Sequence, residues 1–188
     1  RTVDALAHYA SSGRTHLVFA LGNPANETLP WLGASLQYSS WDDLPNTSGP
    51  SQVELTEIIR SKATEIIRQP TIFLDDKSDL IHLAWSGGEQ GDILYSRAPI
   101  EKAGVASEWF PSQVLSTDAY ASWPQLQQDA SGRLYLTYAI AINEERGIYL
   151  TTSTDRGQSW EIPELIFDAA GQGLREIGTL RVEPITFQ

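Results

Sequence analysis

Cysteine and methionine are both missing from the 188 residues. Without cysteine there is no disulfide, no zinc–thiolate centre and no thiol nucleophile. The compartment stays open on that ground, because many secreted bacterial proteins also lack cysteine. The absent methionines include an initiator, and no signal peptide precedes the first strand pattern. A chain opening at Arg1 therefore reads as a processed or excised piece of something longer. Basic residues are scarce, 13 against 24 acids, for a formal charge of −11. Such a field repels nucleic acid and anionic membrane surfaces, so neither is expected as a partner. No apolar run is long enough to span a bilayer as a helix. Also missing are a G-x-S-x-G elbow, an H-E-x-x-H helix, a P-loop and a G-x-G-x-x-G run. Asp42-Asp43 and Asp75-Asp76 fall at turns rather than in a metal-ligand pattern. No cofactor and no metal are expected. Two sequons, at Asn26 and Asn46, are read as chance occurrences.

What is present is repetition. Hydrophobic residues make up 41% of the chain and charged residues 20%, enough for one packed domain. The stretches Arg14 to Leu21, Asp79 to Ser86 and Gly132 to Ala139 each alternate apolar with polar or small residues, as half-buried strands do. Each is followed by a loop and another strand: Ala34 to Ser40, Asp92 to Arg97, Gly147 to Ser153. A short further strand follows each of these, at Gln52 to Leu55, Ser112 to Ser116 and Glu164 to Phe167. One more strand precedes each set, opened by Pro70 in the second unit and Pro124 in the third, with Asp75 and Asp129 five residues on. Proline suits the first position of a strand, where no ladder donor is needed. Pro184 opens a similar segment. Ser40, Ser96 and Ser153 are spaced by 56 and 57 residues. Four short strands in a period near that length predict an all-β propeller, or part of one. The expected units are residues 1–58, 66–116 and 121–168, with the first strand of a fourth at 176–188.

The most ordered local signal is Ser153-Thr154-Asp155-Arg156-Gly157-Gln158-Ser159-Trp160, between the last two strands of the third unit. The aspartate can accept backbone N–H bonds within a turn. The glycine can take a positive φ. The hydroxyls satisfy further groups, and the tryptophan plugs the gap beneath. Neither metal nor substrate is required. Trp160 is expected to be largely buried, and Asp155 to be bonded to its own turn.

This stretch resembles the Asp-box, or BNR repeat, of sialidase-like β-propellers, through Ser153, Asp155, Gly157, Ser159 and Trp160. Ser40 and Asp42 are remnants of the same pattern in the first unit. In the second only Ser96 remains, with Trp109 as the tryptophan after an insertion. The resemblance implies a six-bladed propeller with a central funnel, of which three units and a strand make about half. It implies a structural Asp-box on the face opposite the active site. It also implies cleavage of terminal sialic acid by an arginine triad, a tyrosine assisted by a glutamate, and an acid/base aspartate. No arginine here is followed by Ile-Pro, the sequence that usually carries the first triad arginine.

In a propeller the loops between second and third strands, and those joining blades, share one face. Candidate ligand-binding residues on it are Glu145, Arg146, Tyr120, Trp123 and Arg68. A glutamate beside an arginine fits carboxylate binding, or only a solvated loop. Asp118, Tyr120 and Trp123 fit either stacking on a sugar or packing between blades. Arg60, Arg68 and Arg175 fit an anionic ligand or surface ion pairs. The twin Thr-Glu-Ile-Ile-Arg segments at 56–60 and 64–68 read as an inserted helix or as strand ends. His16, His82 and Tyr135 hold one repeated position and read as structural. The facing side, with its glycine-tight turns, should leave little room for a pocket. Two functions remain: a sialidase-like glycoside hydrolase acting on terminal acidic sugars, or a non-catalytic propeller binding glycans or proteins. Catalytic residues are not assigned. Secretion is expected, as is a partner that completes the ring, either a missing half or a second copy.

Overall fold

A computed structural model describes residues 3–11, 13–42, 54–116 and 120–182. Among them are three four-stranded antiparallel sheets, each a simple meander. The first holds β1 (Val3–Ser11), β2 (Arg14–Leu21), β3 (Ser35–Asp42) and β4 (Thr56–Arg60). The second holds β5 (Ile66–Asp75), β6 (Leu80–Gly88), β7 (Asp92–Pro99) and β8 (Gln113–Val114). The third holds β9 (Ala121–Gln128), β10 (Leu134–Ile140), β11 (Gly147–Ser153) and β12 (Glu164–Asp168). No helix among the described residues is long and apolar enough to cross a membrane.

Burial follows from each sheet's place in the row. In the outer third sheet, β11 alternates buried and half-buried side chains along its whole length. The middle sheet is covered on both faces, so seven consecutive residues of β6, Ile81 to Gly87, are all buried. Two cores result, one in each seam. Val18, Leu36, Tyr38 and Ile58 meet Ile72, Leu74, Leu83 and Trp85 in the first. Ile93 and Tyr95 meet Leu126, Leu136, Tyr138 and Tyr149 in the second.

Three details differ from the sequence reading, and one alternative left open there is resolved. The outer strand of the first unit is Thr56–Arg60 rather than 52–55, because Ile58 reaches the core while Leu55 stays 48% exposed. Gln52 and Val53 lie outside the described residues. Both Thr-Glu-Ile-Ile-Arg copies enter strands, the second through Ile66, so the helix alternative fails. Pro70 and Pro124 do not open their strands. Each sits inside one, at a register shift where two residues face one on the neighbouring strand. A bulge removes a residue from the ladder, and so accommodates a residue without an N–H. β1 has a shift of the same kind between Val3 and Leu6. Finally, the serine spacing gives the length of the repeat but not its register. His16, His82 and Tyr135 face Ser40, Arg97 and Thr152 across the ladder, so Ser96 and Ser153 are each one residue off that row.

The aspartates after the bulged strands close the next turn. Asp75 accepts from the Lys77 N–H at 3.0 Å and the Ser78 hydroxyl at 2.6 Å, and from Gln128 of the third sheet at 2.8 Å. Asp129 accepts from the Ser131 hydroxyl at 2.6 Å and the Tyr135 hydroxyl at 2.9 Å. Residues 176–182 form no strand, and Pro184 onward lies outside the described residues.

Candidate functional site

Each connection between sheets is sewn onto the loop between the second and third strands of the sheet before it. Gly33 N–H donates to Glu65 C=O at 3.0 Å, and Ile67 N–H to Trp31 C=O at 3.2 Å. Ala121 N–H donates to Gly91 C=O at 2.7 Å, and Ile177 N–H to Ala141 C=O at 3.0 Å. All these loops gather at one end of the sheets. The longest, residues 22–34, folds over the start of β5 and forms a cleft of about 480 Å³. Thr28, Leu29, Pro30, Trp31, Leu32, Ile66 and Arg68 line it. Arg68 is half-buried, and its Nε is enclosed with no hydrogen-bond partner. An enclosed guanidinium nitrogen without an acceptor carries an uncompensated desolvation cost, while the rest of this half-buried side chain lines the cleft.

Beside this cleft the innermost strands carry uncommon backbone. Gln69 and Trp123, each just before its strand's proline, have φ of 52° and 53°, and Tyr120 has 65°. Trp123 N–H donates to Gln69 Oε1 at 3.0 Å, which joins the two bulges across the seam. The position a Cβ would take on Gly91 lies 3.5 Å from the Tyr120 backbone and 3.9 Å from Ile66, so Tyr120 adjoins the cleft's wall. Tyr120 is 58% exposed.

Glu145 and Arg146 occupy the loop between β10 and β11. Arg146 Nη1 donates to the Asn143 carbonyl at 2.6 Å, and its Nε donates to the Leu174 carbonyl. Its guanidinium thus holds the following connection in place. Tyr149 donates to the Glu145 carbonyl at 2.7 Å, and the Glu145 side chain is exposed. Arg60 is paired with Glu57. Asp118 lies outside the described residues. Trp31, Leu32 and Gln69 were missed in the sequence. A tryptophan in the longest loop, and the parallel Gln69-Pro70 and Trp123-Pro124 steps, were the available signals.

The opposite end is built from turns. Asp155 Oδ1 accepts from the Ser153 hydroxyl at 2.8 Å and the Gln158 N–H at 2.9 Å, and Oδ2 from the Ser159 hydroxyl at 2.5 Å. Partial burial pushes its pKa up, but the bonds from Ser159, Ser153 and Gln158 outweigh this and hold it at about 2. With its acceptor sites so occupied, the carboxylate closes a turn. Trp160 is half-buried rather than largely buried, because it lies edge-on against Tyr95 of the second sheet with its outer side open, ring centroids 5.0 Å apart. This end does hold a pocket, contrary to the expectation from its tight turns. Arg14, His16, Asp42, Asp76, Asp79 and Glu101 are among the residues lining about 420 Å³ between the first two sheets. Among the described residues no His, Cys, Asp or Glu group is arranged to hold a metal.

No protein-family model and no curated protein sequence matches the chain. Solved structures do. The chain is similar to the catalytic domain of a GH62 α-L-arabinofuranosidase from Coprinopsis cinerea, at TM-score 0.57 and 12% identity, over 89% of this chain and 51% of that one. It is similar to a Hadza microbial sialidase at TM-score 0.58 and 12% identity, over 85% of this chain and 37% of that one. A GH43 endo-arabinanase from Bacillus licheniformis matches at TM-score 0.55 and 14% identity, over 84% of this chain and 53% of that one. The chain therefore spans about half, or less, of the length of these structures. At such identities the likeness establishes the fold, which is a β-propeller of four-stranded antiparallel blades.

Proposed function

We propose that the chain is part of a sialidase-like glycoside hydrolase, acting on terminal acidic sugars of glycans from the long-loop end of its blades. Arg68 carries this reading. It brings a half-buried guanidinium to the wall of an aromatic and aliphatic cleft, the environment in which a carboxylate is bound with little competition from water. The similar structures support a carbohydrate ligand, since they are those of a sialidase, an α-L-arabinofuranosidase and an endo-arabinanase. On this reading Tyr120 and Trp123 flank the sugar, the turn at Ser153–Trp160 is a structural Asp-box, and the protein works outside the cytoplasm.

The test is release of fluorophore from a fluorogenic sialoside by the full chain, with binding of 3′-sialyllactose measured alongside. Arg68→Ala should abolish both while leaving the thermal midpoint within a degree or two. Wild-type protein that neither cleaves the sialoside nor binds the trisaccharide would sink the reading.

A non-catalytic glycan-binding propeller is the second reading, and one observation favours it. Arg146 and Tyr149 are spent on backbone carbonyls, so their loop offers no Tyr–Glu pair for nucleophilic attack. Binding without turnover would select it. Either way, further blades or a second copy should cover the third sheet, where Ile162, Leu165, Ile166 and Phe167 are 81, 48, 53 and 42% exposed. A monodisperse three-blade monomer in sedimentation would contradict that.

A further inference from the structure

We propose that Trp123 is a sugar-stacking platform at the inner wall of the blades, and that Gln69 is the positioning residue that sets it. The inference rests on the glycan-binding reading above. Trp123 stands on β9, the innermost strand of the third blade, inside a bulge. Its φ of 53° is a left-handed conformation that a bulky residue rarely adopts. Such strain persists only where the surroundings enforce it, and it gathers at ligand sites. The enforcing contacts are visible. Pro124 removes the next ladder donor, and the freed Trp123 N–H is taken by Gln69 Oε1 at 3.0 Å. Gln69 has the same backbone conformation at the same bulge of the preceding blade.

Packing does not account for the tryptophan. Ala121, Ser122, Pro124 and Leu126 around it are buried, while Trp123 is half-buried and belongs to neither of the two apolar clusters. Bulges re-aim side chains, and this one leaves an indole outside the cores on the strand nearest the axis. Pyranose C–H groups carry partial positive charge and suit the electron-rich face of such a ring. Gln69 directly follows Arg68, so platform and guanidinium share one strand-to-strand junction. A ligand with an apolar sugar face and an anionic group fits both.

Two measurements on the full chain test this. The first needs no sugar: acrylamide quenching of the fluorescence that wild type has and Trp123→Phe lacks. Gln69→Ala should raise the quenching constant of that component at least twofold, and Gln69→Glu, which keeps an acceptor oxygen, should restore it. An unchanged constant in Gln69→Ala would overturn the positioning role. The second is binding of 3′-sialyllactose, which Trp123→Ala should weaken at least tenfold at an unchanged thermal midpoint. Full binding by Trp123→Ala, with binding lost in Arg68→Ala, would overturn the platform alone. No binding by wild type would overturn the platform together with the reading beneath it.

Discussion

The two seams between blades close over matching pairs of side chains with different chemistry. In the first, His16 Nδ1 and the Tyr38 hydroxyl share a hydrogen bond of 2.8 Å; in the second, His82 Nδ1 and the Tyr95 hydroxyl share one of 2.6 Å. Over Tyr38 lies a connection built from two short 3₁₀ turns, Ile100–Lys102 and Ala106–Glu108, with Gly104 beside the ring and Trp109 buried in the core. Over Tyr95 lies the aspartate-centred turn, with Gly157 against the hydroxyl and Trp160 packed across the ring at an interplanar angle of 71°. Arg97 of the second blade donates to the Arg156 carbonyl and fastens that turn from below. A glycine and a tryptophan recur in both lids, and the polar scaffold between them does not. What a blade seam requires is a close approach over the tyrosine. How the backbone is held there is open to substitution.

The glycines give the largest contrast. A Cβ on Gly157 would lie 1.9 Å from the Tyr95 hydroxyl, at a φ of 75° that already disfavours a side chain. Gly157→Ala should cost about 3–5 kcal/mol, combining overpacking with backbone strain. On Gly104 the same Cβ would lie 3.7 Å from Tyr38, an ordinary contact. Gly104→Ala should stay within about 0.5 kcal/mol. Urea unfolding of the pair measures both, and equal losses would break the distinction between the lids.

Acid should act through the second seam. Burial, with a smaller push from Arg97 and against the pull of Asp75, lowers the His82 pKa from 6.5 to about 4. The folded state therefore resists a proton that the unfolded state takes up. The stabilisation is complete above pH 6.5 and is lost as pH falls from there toward 4, amounting to about 3 kcal/mol. Burial lowers the His16 pKa as well, so the first seam adds to the trend in the same direction. Unfolding free energy measured from pH 7 to 4 should fall less steeply in His82→Gln than in wild type. Equal slopes would show that the histidine titrates normally.

Asp155→Ala should cost about 1–3 kcal/mol, because the Gln158 and Ser159 N–H groups and the Ser159 hydroxyl lose their acceptor. Its folded pKa of about 2 adds a second window, in which stability present above about pH 4 drains away toward pH 2. On the proposed reading, binding of 3′-sialyllactose should not change. A weakened ligand at an intact melting point would instead make this turn a functional site.

The ease of reading these features from the sequence follows the range of the interactions involved. The Ser153–Trp160 turn is local, its bonds spanning two to four residues, and its architecture was legible down to the acceptor role of Asp155. The sheets were legible because alternation records burial on one face. β4 was misplaced because Ile58 and Leu55 differ only in what lies across the seam. The prolines misled for a related reason, since a bulge is defined by a partner strand that spacing does not record. Arg68 was a candidate among several arginines. Only the fold separated it from Arg146, whose guanidinium is spent on carbonyls of its own loop and of the following connection, and from Arg60, which is paired with Glu57.

The smallest expected effect separates the two tryptophans. Trp109 Nε1 donates to the Ala103 carbonyl at 2.9 Å within a buried site. Replacing it with phenylalanine removes the donor and leaves that carbonyl unmatched, besides thinning the packing around Tyr38. Trp109→Phe should cost about 1–2 kcal/mol. Trp160 Nε1 is equally enclosed but has no acceptor, so its N–H contributes desolvation cost and no bond. Trp160→Phe discards that unsatisfied donor and keeps a ring to pack across Tyr95. The lost contact area and the relieved donor oppose each other, and the net change should lie within about 0.5 kcal/mol. Chemical denaturation of the two variants decides whether the lids differ in this way. A loss at Trp160 as large as that at Trp109 would mean that the indole N–H has an acceptor in solution and that the two lids are held alike.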